Sequence, residues 1–286
     1  MNRSGLWRWL IVSLVVVVAL LAAAWAMRPD DELRVSFLDV GQGDAILISR
    51  GSQQVLVDGG PSPEALVQEL GRRLPFWDRT IELVVSTHQD ADHLAGLVEV
   101  LSRYKVTRVL TAGLEAESDV AAAWRQALGR SGASVMTVRA GMTVTSGALT
   151  LAVLSPPAGE AVAGGQADEN CLVLRLACGE VSFLLMGDAG AAVERALIRE
   201  RAPLAATVLK VGHHGSETGT LPEFLDVVRP RAAVISAGAD NRFGHPAPEV
   251  TARLEARLDP VFIYRTDRQG SITFITDGQR LRVETG

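Results

Sequence analysis

The stretch Val84-Val85-Ser86-Thr87-His88-Gln89-Asp90-Ala91-Asp92-His93-Leu94-Ala95-Gly96 limits the possible folds more than any other part of the chain. A β-branched apolar run stops at two histidines and two aspartates, and a helical apolar spacing then resumes at Leu94, Leu97, Val98 and Leu101. That pattern predicts a buried strand over 81–86 followed by a helix, with polar side chains delivered at the strand's C-terminal end. A solvated surface does not explain such density in a chain with five histidines. The stretch reads as half of a two-metal site, since imidazole nitrogen with carboxylate oxygen is a ligand set for zinc, manganese or iron.

The rest of the chain repeats this rhythm. Strands are expected at 33–40, 45–49, 53–57, 108–111, 134–138, 149–154, 171–177, 181–186, 207–211, 232–236, 261–264, 271–275 and 281–284. Helices are expected at 63–74, 120–128, 189–201 and 248–258, with Ser62 and Pro63 opening the first. The 156–168 stretch reads as a Gly/Pro/Ala loop. This alternation suggests an α/β chain, a four-layer αβ/βα sandwich of two similar halves. His88, His93, His213, His214 and His245 all fall at strand ends or in the loops after them, as do Asp39, Asp44, Asp58, Asp188 and the Asp90/Asp92 pair.

Residues 9–27 form an uncharged apolar run broken by Ser13. Such a helix rises roughly 28 Å, the span of a hydrocarbon core. Arg3 and Arg8 precede it and Asp30, Asp31 and Glu32 follow, a bias that places the N-terminus in the cytoplasm and the remainder outside. Two readings stand: an uncleaved membrane anchor with Trp7, Trp9 and Trp25 near its ends, or a signal peptide cleaved after Ala24-Trp25-Ala26. Past residue 28 the chain carries 25 Lys+Arg against 33 Asp+Glu, which argues against a broad polyanion-binding face. Cys171 and Cys178 are the only cysteines; they read as small buried residues and exclude a Cys-rich zinc site.

Seven segments in order, FLDVGQGDAILI, LVDGG, THQDADHLAGL, ENCLVLRL, LLMGDAG, LKVGHHGS and NRFGHP, resemble the hydrolase domain of ComEC competence proteins, within the metallo-β-lactamase fold. The resemblance runs from about Leu33 to the C-terminus, without the multi-span channel of those proteins. It implies a hydrolase domain over 33–286 after an N-terminal segment, 1–28. It implies that His88 and Asp90 hold one metal, that Asp92, His93 and His213 hold a second, and that Asp188 bridges them. Asp90 stands where the wider superfamily has a histidine, which makes manganese a rival to zinc. Asn170 stands near another ligand position and is expected as a weak or supporting ligand.

The expected chemistry is hydrolysis with two divalent ions, zinc or manganese. Asp92 or Asp188 orients the nucleophile, and His245 serves as acid or substrate-positioning group. His214 is expected behind the ligands rather than among them. Asp44 is expected near the metals or behind His93, and Asp58 in a turn that also orients a histidine. Lys210 is expected either to meet a phosphate or to lie on the surface. Asp39 is expected to stabilise its turn. The resemblance favours a phosphodiester substrate, DNA included. The alternatives are a lactone, thioester or phosphorylcholine ester on the same metals, and a non-catalytic module of an uptake or envelope assembly. The simpler explanation of the central stretch, a helix start capped by Asp92, leaves its histidines unexplained.

Overall fold

The computed structural model describes residues 3–26, 31–113, 116–159 and 170–286, and in the first of these the side chains of residues 7–22 only. The first helix, α1 (Arg3–Ala26), is the expected hydrophobic one, and Trp7 and Trp9 on it are 67% and 73% exposed. Among the described residues no helix is long and apolar enough to cross a membrane. The membrane anchor thus gains no support from the structure. The cleavage site at Ala24–Ala26 and most of the expected 156–168 loop lie outside the described side chains and residues.

Two sheets stack face to face. The first has eight strands in the order β15-β14-β1-β2-β3-β4-β5-β6, built from β1 (Leu33–Phe37), β2 (Ile46–Arg50), β3 (Gln53–Val57), β4 (Thr80–Ser86), β5 (Lys105–Thr111), β6 (Ser134–Thr137), β14 (Ile272–Thr276) and β15 (Leu281–Thr285). The second has seven, in the order β13-β12-β11-β10-β9-β8-β7: β7 (Thr143–Ser146), β8 (Leu149–Ser155), β9 (Val173–Cys178), β10 (Val181–Leu185), β11 (Val208–Lys210), β12 (Ala232–Ile235) and β13 (Ile263–Arg265). Val35, Phe37, Val57, Leu83, Val85 and Phe274 of the first sheet meet Leu174, Leu176 and Phe183 of the second.

Helices cover both outer faces. Against the first sheet lie α2 (Pro63–Arg73), α3 (Ala91–Arg103) and α4 (Asp119–Ser131), which bury Leu66, Leu70, Leu94, Leu97 and Trp124 over Leu56, Val84 and Val109. Against the second lie α5 (Ala191–Arg199), α6 (Pro222–Val228) and α7 (Pro248–Glu255), with Val193, Leu197, Phe224 and Val250 over Leu184 and Leu209. The four-layer sandwich is therefore present. Strand β4 is buried on both faces toward its end, Leu83 and Val85 inward and Val84 outward, which is why Leu83-Val84-Val85 runs apolar without alternating.

Strands β3 to β6 run parallel in one sheet and β10 to β13 in the other. The residues that follow β4, β10 and β11 emerge together on one rim. On that rim α3 docks closely onto the Asp58-Gly59-Gly60 turn: Gly59 N donates to His93 O at 2.7 Å and Gly96 N to Gly60 O at 3.0 Å. A Cβ on Gly96 would stand 2.0 Å from Gly59 O, so this approach requires glycine. Strand β7, α6 and the short α8 (Thr266–Gln269) were not expected from the sequence.

Candidate metal centre

His88 follows β4 and His93 sits in the first turn of α3. The N-cap of α3 is Asp90, not Asp92, and its side chain makes no capping bond. The capping explanation thus fails for both carboxylates. Asp188 lies between β10 and α5, whose N-cap is Gly190, so it is not a cap either. His213 and His214 belong to a 3-10 turn, Gly212–Gly215, and both hold left-handed backbone, φ 48° and 53°. With Asp58 at φ 58° they make up three of the six non-glycine residues with positive φ among the described residues. Such strain persists where surrounding structure imposes it, commonly at functional sites.

Three imidazoles share one arrangement: each ring's Nδ1 is tied back to the protein, leaving Nε2 toward the cluster. Thr87 Oγ1 donates to Asp58 Oδ2 at 2.6 Å, so at 3.0 Å it accepts from His88 Nδ1. His93 Nδ1 donates to Asp58 Oδ2 at 2.9 Å, and His214 Nδ1 to the Ser236 carbonyl at 3.0 Å. Fixing the tautomer from behind in this way is how metal-binding histidines are held. Asp58 is thus more than a turn residue: it orients His93 directly and the His88 segment through Thr87.

The Nε2 atoms converge on Asp188. Nε2 of His93, His214, His88 and His213 lie 3.2, 3.5, 3.8 and 3.8 Å from its carboxylate oxygens. His88 Nε2 is also 3.8 Å from Asp90 Oδ2, and His214 Nε2 is 3.3 Å from Asp92 Oδ2 and from His93 Nε2. Buried His88 Nε2 and Asp188 Oδ1 have no hydrogen-bond partner among the described residues. Orphaned buried polar atoms are costly unless another group satisfies them. Ligands about 2.0–2.2 Å from a tetrahedral ion stand roughly 3.3–3.6 Å apart, close to the spacings found here. The donor set and its spacing fit divalent cations.

The cluster has a closed back and an open front. Asp188 and His214 are nearly inaccessible, whereas the side chains of Asp90, Asp92 and His213 are 51%, 33% and 28% exposed. One ligand-capable atom each from Asp44, His93, Asp188 and His214 falls within 4.8 Å of the others. The two edges of the His214 ring separate these roles. Asp44 Oδ1 stands 3.4 Å from Nδ1, behind the ring, while Asp92 and Asp188 face Nε2. His214, expected in a supporting place, is the more deeply buried of the tandem pair and presents its Nε2 to both carboxylates.

Lys210 corrects both expectations made for it. It is fully buried, 2.6 Å from Asp44 Oδ2, and donates to the Val211 carbonyl at 2.8 Å. It is neither on the surface nor available to a phosphate. Asp44 correspondingly supports His214 rather than His93. Asn170 is buried next to Cys171, whose Sγ accepts from Asp188 N at 3.3 Å. Asp39 keeps its turn role, accepting from Gly41 N at 3.3 Å. The His245 ring is 5.7 Å from that of His213, at the open side.

Electrostatics follow from this packing. Burial pushes the His88 pKa down to about 4, assisted by the charge of His93, so its ring is neutral at neutral pH. Burial acts the same way on His93 and His214. There Asp188 outweighs it, joined by Asp58 for His93 and by Asp44 and Asp92 for His214, and both sit well above the usual range. Burial raises Asp188, but His93 and His214 hold it well below the usual carboxylate range. Burial and neighbouring Asp92 raise Asp90. Burial, with the charges of His213 and His214, lowers the pKa of His245.

Residues 38–161 match the model of the Metallo-beta-lactamase superfamily. The chain is 31% identical over 261 residues to ComE operon protein 3 of Bacillus subtilis, covering 85% of this chain and 33% of that protein. It is 30% identical over 254 residues to Recombination protein 2 of Haemophilus influenzae, covering 88% and 30%, and 27% identical to Competence protein ComA of Neisseria gonorrhoeae, covering 89% and 35%. The chain spans about a third of the length of these relatives. Among solved structures, the metallo-beta-lactamase fold protein YhfI of Bacillus subtilis superposes with a TM-score of 0.58 at 12% identity, covering 86% of this chain and all of that one. Zn(2+)-bound PqqB of Methylobacterium extorquens gives 0.52 at 16%, covering 78% and 85%.

Proposed function

We propose that this chain, which carries a metallo-β-lactamase superfamily domain and is a metal-dependent hydrolase, cleaves phosphodiesters with two divalent ions, DNA being a candidate substrate. The observation that carries this reading is the convergence of four imidazole Nε2 atoms on Asp188 beside Asp90 and Asp92, closed behind and open in front. His88, Asp90, Asp92, His93, Asp188, His213 and His214 would hold the ions. The likeness to competence proteins favours nucleic acid among phosphodiesters. The ions are zinc or manganese: the donors are nitrogen and oxygen without thiolate, and half-exposed Asp90 favours the harder metal.

When bound, the ions lower the pKa of water toward ~7 and stabilise charge on the attacked group. The protein's own contribution is to hold the pieces still. Asp58 fixes His93, Thr87 fixes His88, and the Ser236 carbonyl fixes His214, so the Nε2 lone pairs are aimed before substrate arrives. Asp188 orients the nucleophile from the buried side and Asp92 from the open front. His245, at the mouth, positions the substrate by hydrogen bonding.

Location is proposed from sequence: Arg3 and Arg8 before the apolar run and Asp30 to Glu32 after it favour a domain outside the cytoplasm. A reporter fused after Gly286 tests this, and activity of the reporter only in the cytoplasm would refute it. The activity is tested by a screen of metal-reconstituted protein on a phosphodiester, a phosphorylcholine ester, a lactone and a thioester. Phosphodiester turnover is expected. Turnover of the phosphorylcholine ester, lactone or thioester alone would replace the proposed substrate class, and turnover of none would favour the non-catalytic module.

A further inference from the structure

The loop between β12 and α7 presents a feature that core packing does not account for. Asn241 pins it: Nδ2 donates to the carbonyls of Gly238 at 2.8 Å and His245 at 2.6 Å, and Oδ1 accepts from His245 N at 2.9 Å. Gly238 N in turn donates to Gln42 Oε1 at 3.0 Å, which ties the loop to the other half of the sandwich. From this anchored turn Phe243 projects into solvent, 56% exposed. Its ring stacks on His245 at 5.8 Å and 24°, and the His245 ring is 5.7 Å from that of His213. The guanidinium of exposed Arg242 lies 5.2 Å over Phe243 and has no carboxylate partner among the described residues. A line of rings thus leads from the metal centre to an exposed aromatic residue with the cation of an exposed arginine over it.

We propose that Phe243 and Arg242 form a stacking subsite for a nucleoside base adjoining the scissile phosphate. This rests on the phosphodiesterase reading. An exposed aromatic ring accepts any base on its π face, and a guanidinium adds cation–π attraction and phosphate neutralisation. An acyl chain would need an enclosed apolar pocket, which one ring on an open loop does not make. The subsite also reconciles an acidic domain with a polyanionic substrate, because the attraction is confined to the site's edge and does not spread over a basic face.

The test uses the full chain, metal-loaded, on two single-stranded oligonucleotides, one with normal bases and one with an abasic residue beside the cleaved phosphate. Stacking of one base corresponds to a KM preference of roughly 5- to 150-fold for the base-bearing strand. That preference should collapse in Phe243→Ala and return in Phe243→Trp. A second reading does not depend on turnover: 2-aminopurine at that nucleotide should be quenched on binding to the wild type and not to Phe243→Ala. Equal KM for both strands in the wild type, or quenching that survives Phe243→Ala, overturns the subsite. Absence of cleavage with quenching that depends on Phe243 overturns the activity and retains the subsite.

Discussion

Lys210 Nζ lies 2.6 Å from Asp44 Oδ2, and both residues are buried against the back of His214. Burial alone would raise the Asp44 pKa, but Lys210 and His214 pull it far below the usual carboxylate range. Lys210 is a permanent internal countercharge for Asp44, so the pair adds no net charge behind His214. Lys210→Met leaves Asp44 buried without its cation, so the chain should lose about 3–5 kcal/mol of stability. Lys210→Met/Asp44→Leu should recover part of that loss. Denaturant unfolding of both variants measures it, and equal loss in the two would refute the pairing argument.

Asp58 acts through others. It accepts from Thr87 N and Thr87 Oγ1 as well as from His93 Nδ1, at 2.8, 2.6 and 2.9 Å. Asp58→Asn keeps the shape and removes the charge that fixes the His93 tautomer. Metal affinity should fall by roughly 10- to 100-fold with the fold retained. Competition with a chromophoric chelator reads the affinity, and circular dichroism checks the fold.

The contact between Gly96 and Gly59 predicts a steric defect rather than a chemical one. A methyl at residue 96 meets Gly59 O at 2.0 Å, so α3 must shift and carry His93 with it. Gly96→Ala should cost about 1–3 kcal/mol and weaken metal binding together. Gly71, in α2 with open space around its Cβ, is the control, and Gly71→Ala should be neutral or stabilising.

Metal loading should release protons. His93 and His214 have pKa values raised by Asp188 and its neighbours, so the metal-free protein carries charge there at neutral pH. A cation on Nε2 displaces those protons, and apparent affinity should therefore rise with pH until the raised pKa values are passed. The metal-free protein has the opposite slope from these two groups. Their contribution to stability is complete below about 6.5, the unfolded value, and is lost as pH climbs through the folded pKa. Proton uptake on metal binding, followed with an indicator dye in weak buffer, would contradict this charge state.

The layers and the rim were readable from the sequence because buried parallel strands run apolar and stop where chemistry begins, as β4 does at His88. The histidine and aspartate cluster was readable for the same reason. Its inner arrangement was not. Strand alternation cannot rank His213 against His214, since both adopt positive φ and leave the strand pattern. Lys210 was misread because polar alternation on β11 suggests a surface, whereas this central strand is buried on both sides and its lysine is satisfied by Asp44, far away in the chain. Strand β7, with the sequence Thr-Val-Thr-Ser, and the seven-residue α6 are too short or too weakly apolar to give a periodic signal.

Metal stoichiometry of the full chain, measured by elemental analysis after exhaustive dialysis and paired with phosphodiester turnover, tests the central claim most directly. Two equivalents of zinc or manganese are expected, with turnover abolished by a chelator, restored by the ion and absent in Asp188→Asn. A folded protein that retains no transition metal and turns over unchanged in chelator would contradict the account.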